Sequence, residues 1–542
     1  MKSQKEIKIV LIRCPQPELI TANGDLLSTN RKDTPEPSLP QVHGILQQYS
    51  EQTGVRIEIV QLDLRGSVDG QPKETEYGEV SVPYAGKLTK RYTGVSLNDV
   101  RSLLEEADFI GFTNNFTIAR GVIERHIREV RELFPEKEIW IGGRDVYPEN
   151  IETIYAEAAK NRCCVIFRGH VFQSLKAYLD FKIRGRGKPS GIVIFNEAGN
   201  KYESPAKQLP KGEFDFPLPI YKPEAFRMSL SGEGDLPDEL KPLAHMTISI
   251  GCPHKCEYCT TSKREKVLTY KNLETIRKEL DILKAAGVRT ISIMDDNLLA
   301  LGPKKVKKIL NLINSFDFYV EYGNGLQLSL LQKWWNEISE PVLGKCVCLY
   351  APIEDLTTNR LYRKLDEFNS QLSLMERIAR NPGNLKFLTM GVIIGVPGHT
   401  RKGLTETLPR NLETLLDVFG GSSLEVAATI FNYMPLSGTA FGDLALNSRR
   451  MIADPREHPE LISFGTPSFV PEGFTAKEIF EVYEKACNMN PAGREFNVKY
   501  SEIYRKGEKA FTKEMRDKIP KPWKTPGLHY RAKMNKKTRM KK

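Results

Sequence analysis

Cys252-Pro253-His254-Lys255-Cys256-Glu257-Tyr258-Cys259 sets three cysteines at C-x3-C-x2-C spacing, with an aromatic residue before the last. Three thiolates so spaced can hold three irons of a [4Fe–4S] cluster and leave the fourth iron without a protein ligand. That iron has room for a small molecule. Residues 245–251 are apolar and β-branched, which predicts a short strand. The cysteines then lie on the loop leaving its C-terminal end, where α/β barrels carry their sites. Zinc would want a fourth Cys or His at a matching spacing, and none follows closely. Buried thiols are the remaining alternative.

Upstream, residues 7–12, 55–60, 107–113, 138–143 and 163–167 read as strands. Residues 40–49 start a helix, with Pro40 near its first turn. Ile118, Val122, Ile123, Ile127, Val130 and Phe134 recur at helical spacing. Strands alternating with helices predict a parallel, doubly wound Rossmann-like sheet, whose ligands lie beyond the strands' C-terminal ends. Three loops gather there: Thr113-Asn-Asn-Phe-Thr117, Gly142-Gly-Arg-Asp145 and Arg168-Gly-His170. Residues 21–40 and 66–94 are polar and turn-rich, the second a long insertion. Residues 191–202 read as a hairpin and 214–221 as a Pro-punctuated linker.

Downstream, a helix-period stretch over 272–286 leads to a strand at 290–294 that ends in Asp295, Asp296 and Asn297. Carboxylates at a strand's C-terminal end face the site, where a cation needs an acceptor. Helix capping is the plainer alternative for one of the three. Further strands are expected at 318–323 and 345–350, the latter followed by Glu354. The stretch 389–400 contains Gly391, Ile393 and Gly395, and 431–439 ends in Pro435-x-x-Gly438-Thr439.

The cysteine loop and these downstream signals, in this order, resemble the radical S-adenosylmethionine (SAM) superfamily. The resemblance implies SAM on the open iron, beside Tyr258. It places SAM's ammonium at Asp295, Asp296 or Asn297 and its ribose at Glu354, for which a surface role is the alternative. Adenine would lie on the G-x-I-x-G strand of Gly391, Ile393 and Gly395. The N-terminal region, preceding such a motif, resembles the cobalamin-binding domain of B12-dependent radical SAM proteins. Cobalamin would then meet Thr113, Asn114, Asn115, Gly142, Gly143, Arg168 and Gly169. Many cobalamin domains ligate cobalt through an Asp-x-His-x-x-Gly motif, and none of the eight histidines here lies in one. The expectation is a cobalt with no protein histidine beneath it. His43 and His170 lie near the expected pocket by strand order, but a lone histidine is more often hydrogen-bonded structure.

The implied architecture is α/β: a cobalamin-binding Rossmann-like domain over 1–186, a linker with hairpin over 187–241, a partial (β/α)6 TIM-like barrel over 242–444, and a small, mostly helical C-terminal domain over 445–542. The implied activity is methylation of an unactivated carbon in a small-molecule or peptide substrate, through a 5′-deoxyadenosyl radical and methylcobalamin. A one-electron donor such as flavodoxin or ferredoxin would reduce the cluster. No catalytic side chain is singled out. One alternative is an RNA methylthiotransferase, a family with a second cysteine triad in its N-terminal domain, which Cys14, Cys163 and Cys164 do not form. Others are a cobalamin-dependent cyclase or rearrangement enzyme and a non-catalytic cofactor-binding sensor.

A chain of 542 residues should hold two to four domains. Its formal net charge is +11, and residues 501–542 carry an excess of eleven positive charges, so the body is neutral and the tail basic. Such a tail is a candidate for nucleic acid, though a solvated extension is the favoured reading. No apolar run reaches bilayer length, and the N-terminal apolar run is too short for a signal peptide. The expected location is the cytoplasm, whose reducing conditions suit an iron–sulfur cluster. Cys346 and Cys348 read as buried small hydrophobes. Thr475 and Glu478 form a capping box, with Phe474 and Ile479 as a staple, before a helix expected to bury Phe480, Tyr483 and Cys487.

Overall fold

The computed structural model describes residues 6–24, 26–29, 37–65, 73–146, 164–195, 201–222, 238–261, 266–357 and 368–489. The first sheet has seven strands: β1 (Ile7–Arg13), β2 (Ile57–Asp63), β3 (Phe109–Thr113), β4 (Glu138–Gly142), β5 (Cys164–Phe167), β6 (Ile192–Phe195) and β7 (Lys201–Glu203). Their spatial order is β7-β6-β5-β4-β3-β1-β2. The β2-β1-β3-β4-β5 portion is parallel, and β6 and β7 add antiparallel. Side chains alternate across the sheet. Val10, Ile12, Ile110, Phe112, Ile139, Ile141 and Ile166 enter one core. Ile9, Leu11, Phe109, Trp140, Val165 and Phe167 enter the other. Burial on both faces explains why these strands read as continuous apolar runs.

The hairpin expected in the linker belongs to this sheet. Ile192 pairs with Phe167, and Ile192, Val193 and Phe195 are buried, so the sheet extends to Glu203. The following chain lies along the helix Ser38–Thr53, where the Ile220 N–H donates to the Pro40 carbonyl at 3.0 Å. A Cβ on Gly44 would sit 2.0 Å from the Leu218 carbonyl oxygen, so that helix must present a glycine to the linker.

The stretches read as polar loops form a four-stranded antiparallel ribbon of Pro17–Thr21, Leu26–Thr29, Lys73–Val82 and Gly86–Gly94. Its few apolar residues, Leu19, Val80, Val82 and Leu88, cluster with Leu461 near the other end of the chain.

The second sheet is six parallel strands in sequence order: β8 (Leu243–Met246), β9 (Thr290–Ile293), β10 (Tyr319–Tyr322), β11 (Cys346–Glu354), β12 (Phe387–Ile394) and β13 (Glu425–Asn432). Helices Leu273–Ala285, Pro303–Asn314, Phe368–Arg380 and Leu408–Asp417 pack its outer face into the largest core. On the inner face, Leu243, Cys348, Phe387 and Ala427 form a buried floor. Two to six residues further along the same strands, Tyr350, Ile393 and Phe431 are only half-buried, so the inner face opens toward the strands' C-terminal ends.

Among residues 445–489, the capping box forms: the Thr475 N–H donates to Glu478 Oε2 at 2.8 Å and the Glu478 N–H to Thr475 Oγ1 at 3.2 Å. The helix it starts, Ala476–Met489, buries Ile479 and Ala486 in the barrel's own core. Phe480, Tyr483 and Cys487, expected to be buried, are half-buried. Phe480 instead stacks on Tyr84 of the ribbon, centroids 4.9 Å apart. The basic tail lies outside the described residues. Among the described residues, no helix is long and apolar enough to cross a membrane.

Candidate functional site

The cysteine loop leaves the barrel just after β8 and is braced by carboxylates at the end of β9. Asp295, buried, accepts from the backbone N–H of Ile248 at 2.7 Å and of Ser249 at 2.8 Å, and from the Ser249 hydroxyl. Burial pushes this carboxyl up to about 7, against the pull of its donors. Asp296 grips both ends of the loop: Oδ2 accepts from the Gly251 N–H and Oδ1 from the Thr261 hydroxyl, each at 3.1 Å. Asn297 turns its amide nitrogen to Gln327 Oε1 at 2.9 Å and to Cys252 Sγ at 3.6 Å. His254 Nε2 meets the same Gln327 oxygen at 2.7 Å. The Asn297 Oδ1 is buried and has no hydrogen-bond partner. It is an acceptor beside the cysteines awaiting a donor.

Cys256 is buried, while Cys252 and Cys259 are partly exposed. No three Cys, His, Asp or Glu side chains among the described residues converge to hold one metal ion. Three thiol donors on one loop are the set a cubane takes, each sulfur on its own iron.

Across the barrel mouth, Glu354 has φ 70°, a conformation that no other non-glycine among the described residues adopts. Such strain persists where the surroundings impose it, often at ligand sites. Gly391 makes room for a neighbouring side chain: a Cβ there would lie 1.8 Å from the Tyr350 hydroxyl oxygen. Gly325, with φ 82°, does the same from the other side, its Cβ position 2.7 Å from Tyr350 Cδ1. Burial pushes the Tyr350 phenol well up, helped by the nearby Glu354. Ile393 and Tyr258 pack around one apolar cluster with Val396, Tyr433 and Phe441, and the Phe441 N–H donates to the Glu257 carbonyl at 3.1 Å. The turn after β13 therefore closes onto the cysteine loop. Gly395, with φ 79°, donates its N–H to His399 Nδ1, and its Cβ direction meets Ile479 at 3.6 Å, so it faces the helix Ala476–Met489.

In the first sheet the strand order reverses between β1 and β3, the crevice where such sheets bind ligands. Thr113 ends β3 in register with Gly142 and Arg13. Asn114 is locked inside its loop, donating to Asp145 Oδ2 at 3.1 Å and accepting from the Phe116 N–H at 3.2 Å. Asp145 also takes two bonds of 3.0 Å from Arg120. Asn115 donates to Ser38 Oγ at 2.8 Å and accepts from the Arg144 N–H at 3.1 Å. A Cβ on Gly143 would lie 2.1 Å from the Asn114 carbonyl oxygen, whereas one on Gly142 would meet nothing within 4 Å. Arg168 pairs with Glu203. Gly169, with φ 71°, turns toward Ala206.

His43 Nδ1 lies 2.8 Å from Gln61 Nε2, which also donates to the Ile220 carbonyl. Burial pushes its imidazole down to about 4. His170 lies alongside Phe172, ring centroids 6.1 Å apart.

No family model matches the chain. Among curated proteins, a tRNA-2-methylthio-N(6)-dimethylallyladenosine synthase of Deinococcus radiodurans is 26% identical over 216 residues, 38% of this chain and 40% of that protein. The ribosomal protein uS12 methylthiotransferase RimO of Protochlamydia amoebophila is 25% identical over 189 residues, 32% of this chain and 39% of that protein. The chain thus spans about two fifths of the length of these relatives. Solved structures match over far more of it. The radical S-adenosylmethionine methyltransferase TsrM from Kitasatospora setae, with cobalamin and a [4Fe–4S] cluster bound, aligns with TM-score 0.58 at 12% identity, covering 93% of this chain and 99% of that one. The cobalamin-dependent S-adenosylmethionine radical enzyme OxsB aligns with TM-score 0.57 at 14% identity, covering 93% and 71%. The fold is that of the cobalamin-dependent radical SAM enzymes.

Within that fold, Tyr258, Asp296 and Asn297 lie on or beside the cysteine loop, Ile393 packs in one cluster with Tyr258, and Glu354 and Gly391 flank Tyr350, while Asp295 and Gly395 serve backbone structure. Of the N-terminal residues, Thr113 and Gly142 lie at the open strand ends, and Asn114, Asn115 and Arg168 are engaged by other side chains. Sequence reasoning missed Gln327 and Tyr350, and it assigned no role to Arg144 within the loop 142–145. Gln327 follows β10 with no motif around it. Tyr350 was seen only as part of an apolar strand, although alternation from Cys348 puts it on the inner face. Arg144 directly follows the paired glycines.

Proposed function

We propose that this chain is a cobalamin-dependent radical SAM methyltransferase acting on an unactivated carbon of a small-molecule or peptide substrate. One contact carries the reading. Arg144, just beyond β4 of the first sheet, reaches Asp296 beside the cysteine loop at 3.4 Å. The ligand-binding ends of the two sheets therefore meet, and groups held by each can face one substrate.

When bound, the cluster supplies an electron, SAM a radical and a methyl group, and cobalamin the carrier of that methyl group. Cys252, Cys256 and Cys259 would hold the cluster. The orphaned Oδ1 of Asn297 suits SAM's ammonium, and Glu354 would take the ribose and Ile393 and Tyr258 the flat base. Thr113, Gly142 and Gly143 would hold cobalamin, and no Asp-x-His-x-x-Gly motif offers it a histidine. A flavodoxin or ferredoxin is the fitting electron donor.

The curated matches favour methylthiotransfer as the second reading. Such enzymes need a second cluster in the N-terminal domain. Cys14 follows the C-terminal end of β1, whereas Cys164 opens β5, so in a parallel sheet they lie at opposite ends. Anaerobic reconstitution decides between the readings. With methyl-labelled SAM and a strong reductant, the proposal expects about four irons per chain, bound cobalamin that acquires the label, and 5′-deoxyadenosine as product. A second cluster without cobalamin would favour methylthiotransfer.

A further inference from the structure

The polar side chains of the β3 and β4 loops are largely turned inward. Asn114 and Arg120 bind Asp145, and Asn115 binds Ser38 and the Arg144 backbone. Gly143 packs its Cα against the Asn114 carbonyl with no room for a methyl group. Arg144 thus stands on a hydrogen-bonded pair of loops, and its side chain, 55% exposed, leaves that domain. It ends on Asp296, whose two oxygens also hold Gly251, before the first cysteine, and Thr261, after the last. The Asp296 side chain is 7% exposed, so the pair is shielded on the carboxylate side.

We infer that Arg144 is a positioning residue that couples the two cofactor sites: ligand bound on the β3 and β4 loops fixes Arg144, and Arg144 through Asp296 fixes the cysteine loop in the form that binds SAM. This rests on the proposed function and adds to it that cobalamin and SAM bind with positive cooperativity. Linkage makes the effect reciprocal, and couplings of this kind span about 5- to 150-fold. A chain of contacts shows only that a route exists; coupling has to be measured.

The experiment uses the full chain with its cluster reconstituted anaerobically. The SAM dissociation constant is measured with and without saturating hydroxocobalamin, in the wild type, Arg144→Ala and Arg144→Lys. The spectrum of the reduced cluster with SAM is recorded in each. The expected result is SAM binding about fivefold or more tighter with hydroxocobalamin in the wild type, a ratio near one in Arg144→Ala, and partial recovery in Arg144→Lys. Hydroxocobalamin should alter the SAM-bound cluster spectrum in the wild type and leave it unaltered in Arg144→Ala. A ratio near one in the wild type, or an equal ratio in Arg144→Ala, overturns the coupling while leaving the proposed function standing. A wild type that binds SAM but no cobalamin overturns both.

Discussion

At Gly391 a single methyl group separates two readings. The G-x-I-x-G resemblance assigns this glycine to a flat surface for adenine. The structure adds a nearer reason, since the Tyr350 hydroxyl occupies the space a Cβ would need. Overpacking of this kind costs about 1–3 kcal/mol. Gly391→Ala should therefore lower the thermal midpoint, and the same substitution made in Tyr350→Ala should cost almost nothing. Equal losses in both backgrounds would show that the phenol is not what excludes the methyl group. Glu354 gives the complementary case. A left-handed conformation costs a non-glycine residue about 1–2 kcal/mol. Glu354→Gly should melt no lower than the wild type and bind SAM more weakly. Unchanged SAM affinity would leave the strain at Glu354 without its proposed purpose. The cysteines were legible because their spacing is the chemistry. Asp295 was not separable from Asp296 and Asn297 in sequence, because only the position of the Ile248 and Ser249 amides reveals which carboxylate is committed to backbone.

Among the elements, legibility followed burial. Strands β1, β3 and β4 are buried on both faces, so their apolar runs declare themselves. The four-stranded ribbon escaped notice because Lys73–Val82 is mostly exposed and its alternation is largely polar. Its partner is Leu461, far along the chain, and no local pattern announces such a contact. The hairpin of β6 and β7 was legible as a hairpin, but its pairing with β5 was not, since pairing is a tertiary fact. The capping box before Ala476–Met489 was readable outright, being a local bond pattern. Thr475→Ala should cost that helix about 1 kcal/mol. Amide exchange across Ala476–Met489 should quicken about fivefold, the factor such a loss implies. Unchanged exchange would mean that Ile479 and Ala486, anchored in the barrel core, hold the helix without its cap.

For the molecule as a whole, the sequence carried the order of the parts: a doubly wound sheet, a cysteine loop, then an open six-stranded barrel. It did not carry how the parts meet. The Arg144–Asp296 pair, the ribbon under Leu461 and the stack of Tyr84 on Phe480 all join segments far apart in the chain. The central claim is that one chain holds cobalamin on the first sheet and a three-cysteine cluster on the second, with no protein histidine on cobalt. Electron paramagnetic resonance of the anaerobically reconstituted chain tests it most directly. The account predicts a cob(II)alamin signal whose cobalt lines lack nitrogen splitting, beside a single reduced cluster whose signal shifts when SAM is added and vanishes in Cys256→Ala. Nitrogen splitting abolished by His43→Ala would contradict the ligand assignment, and a chain that takes up the cluster but no cobalamin would contradict the central claim itself.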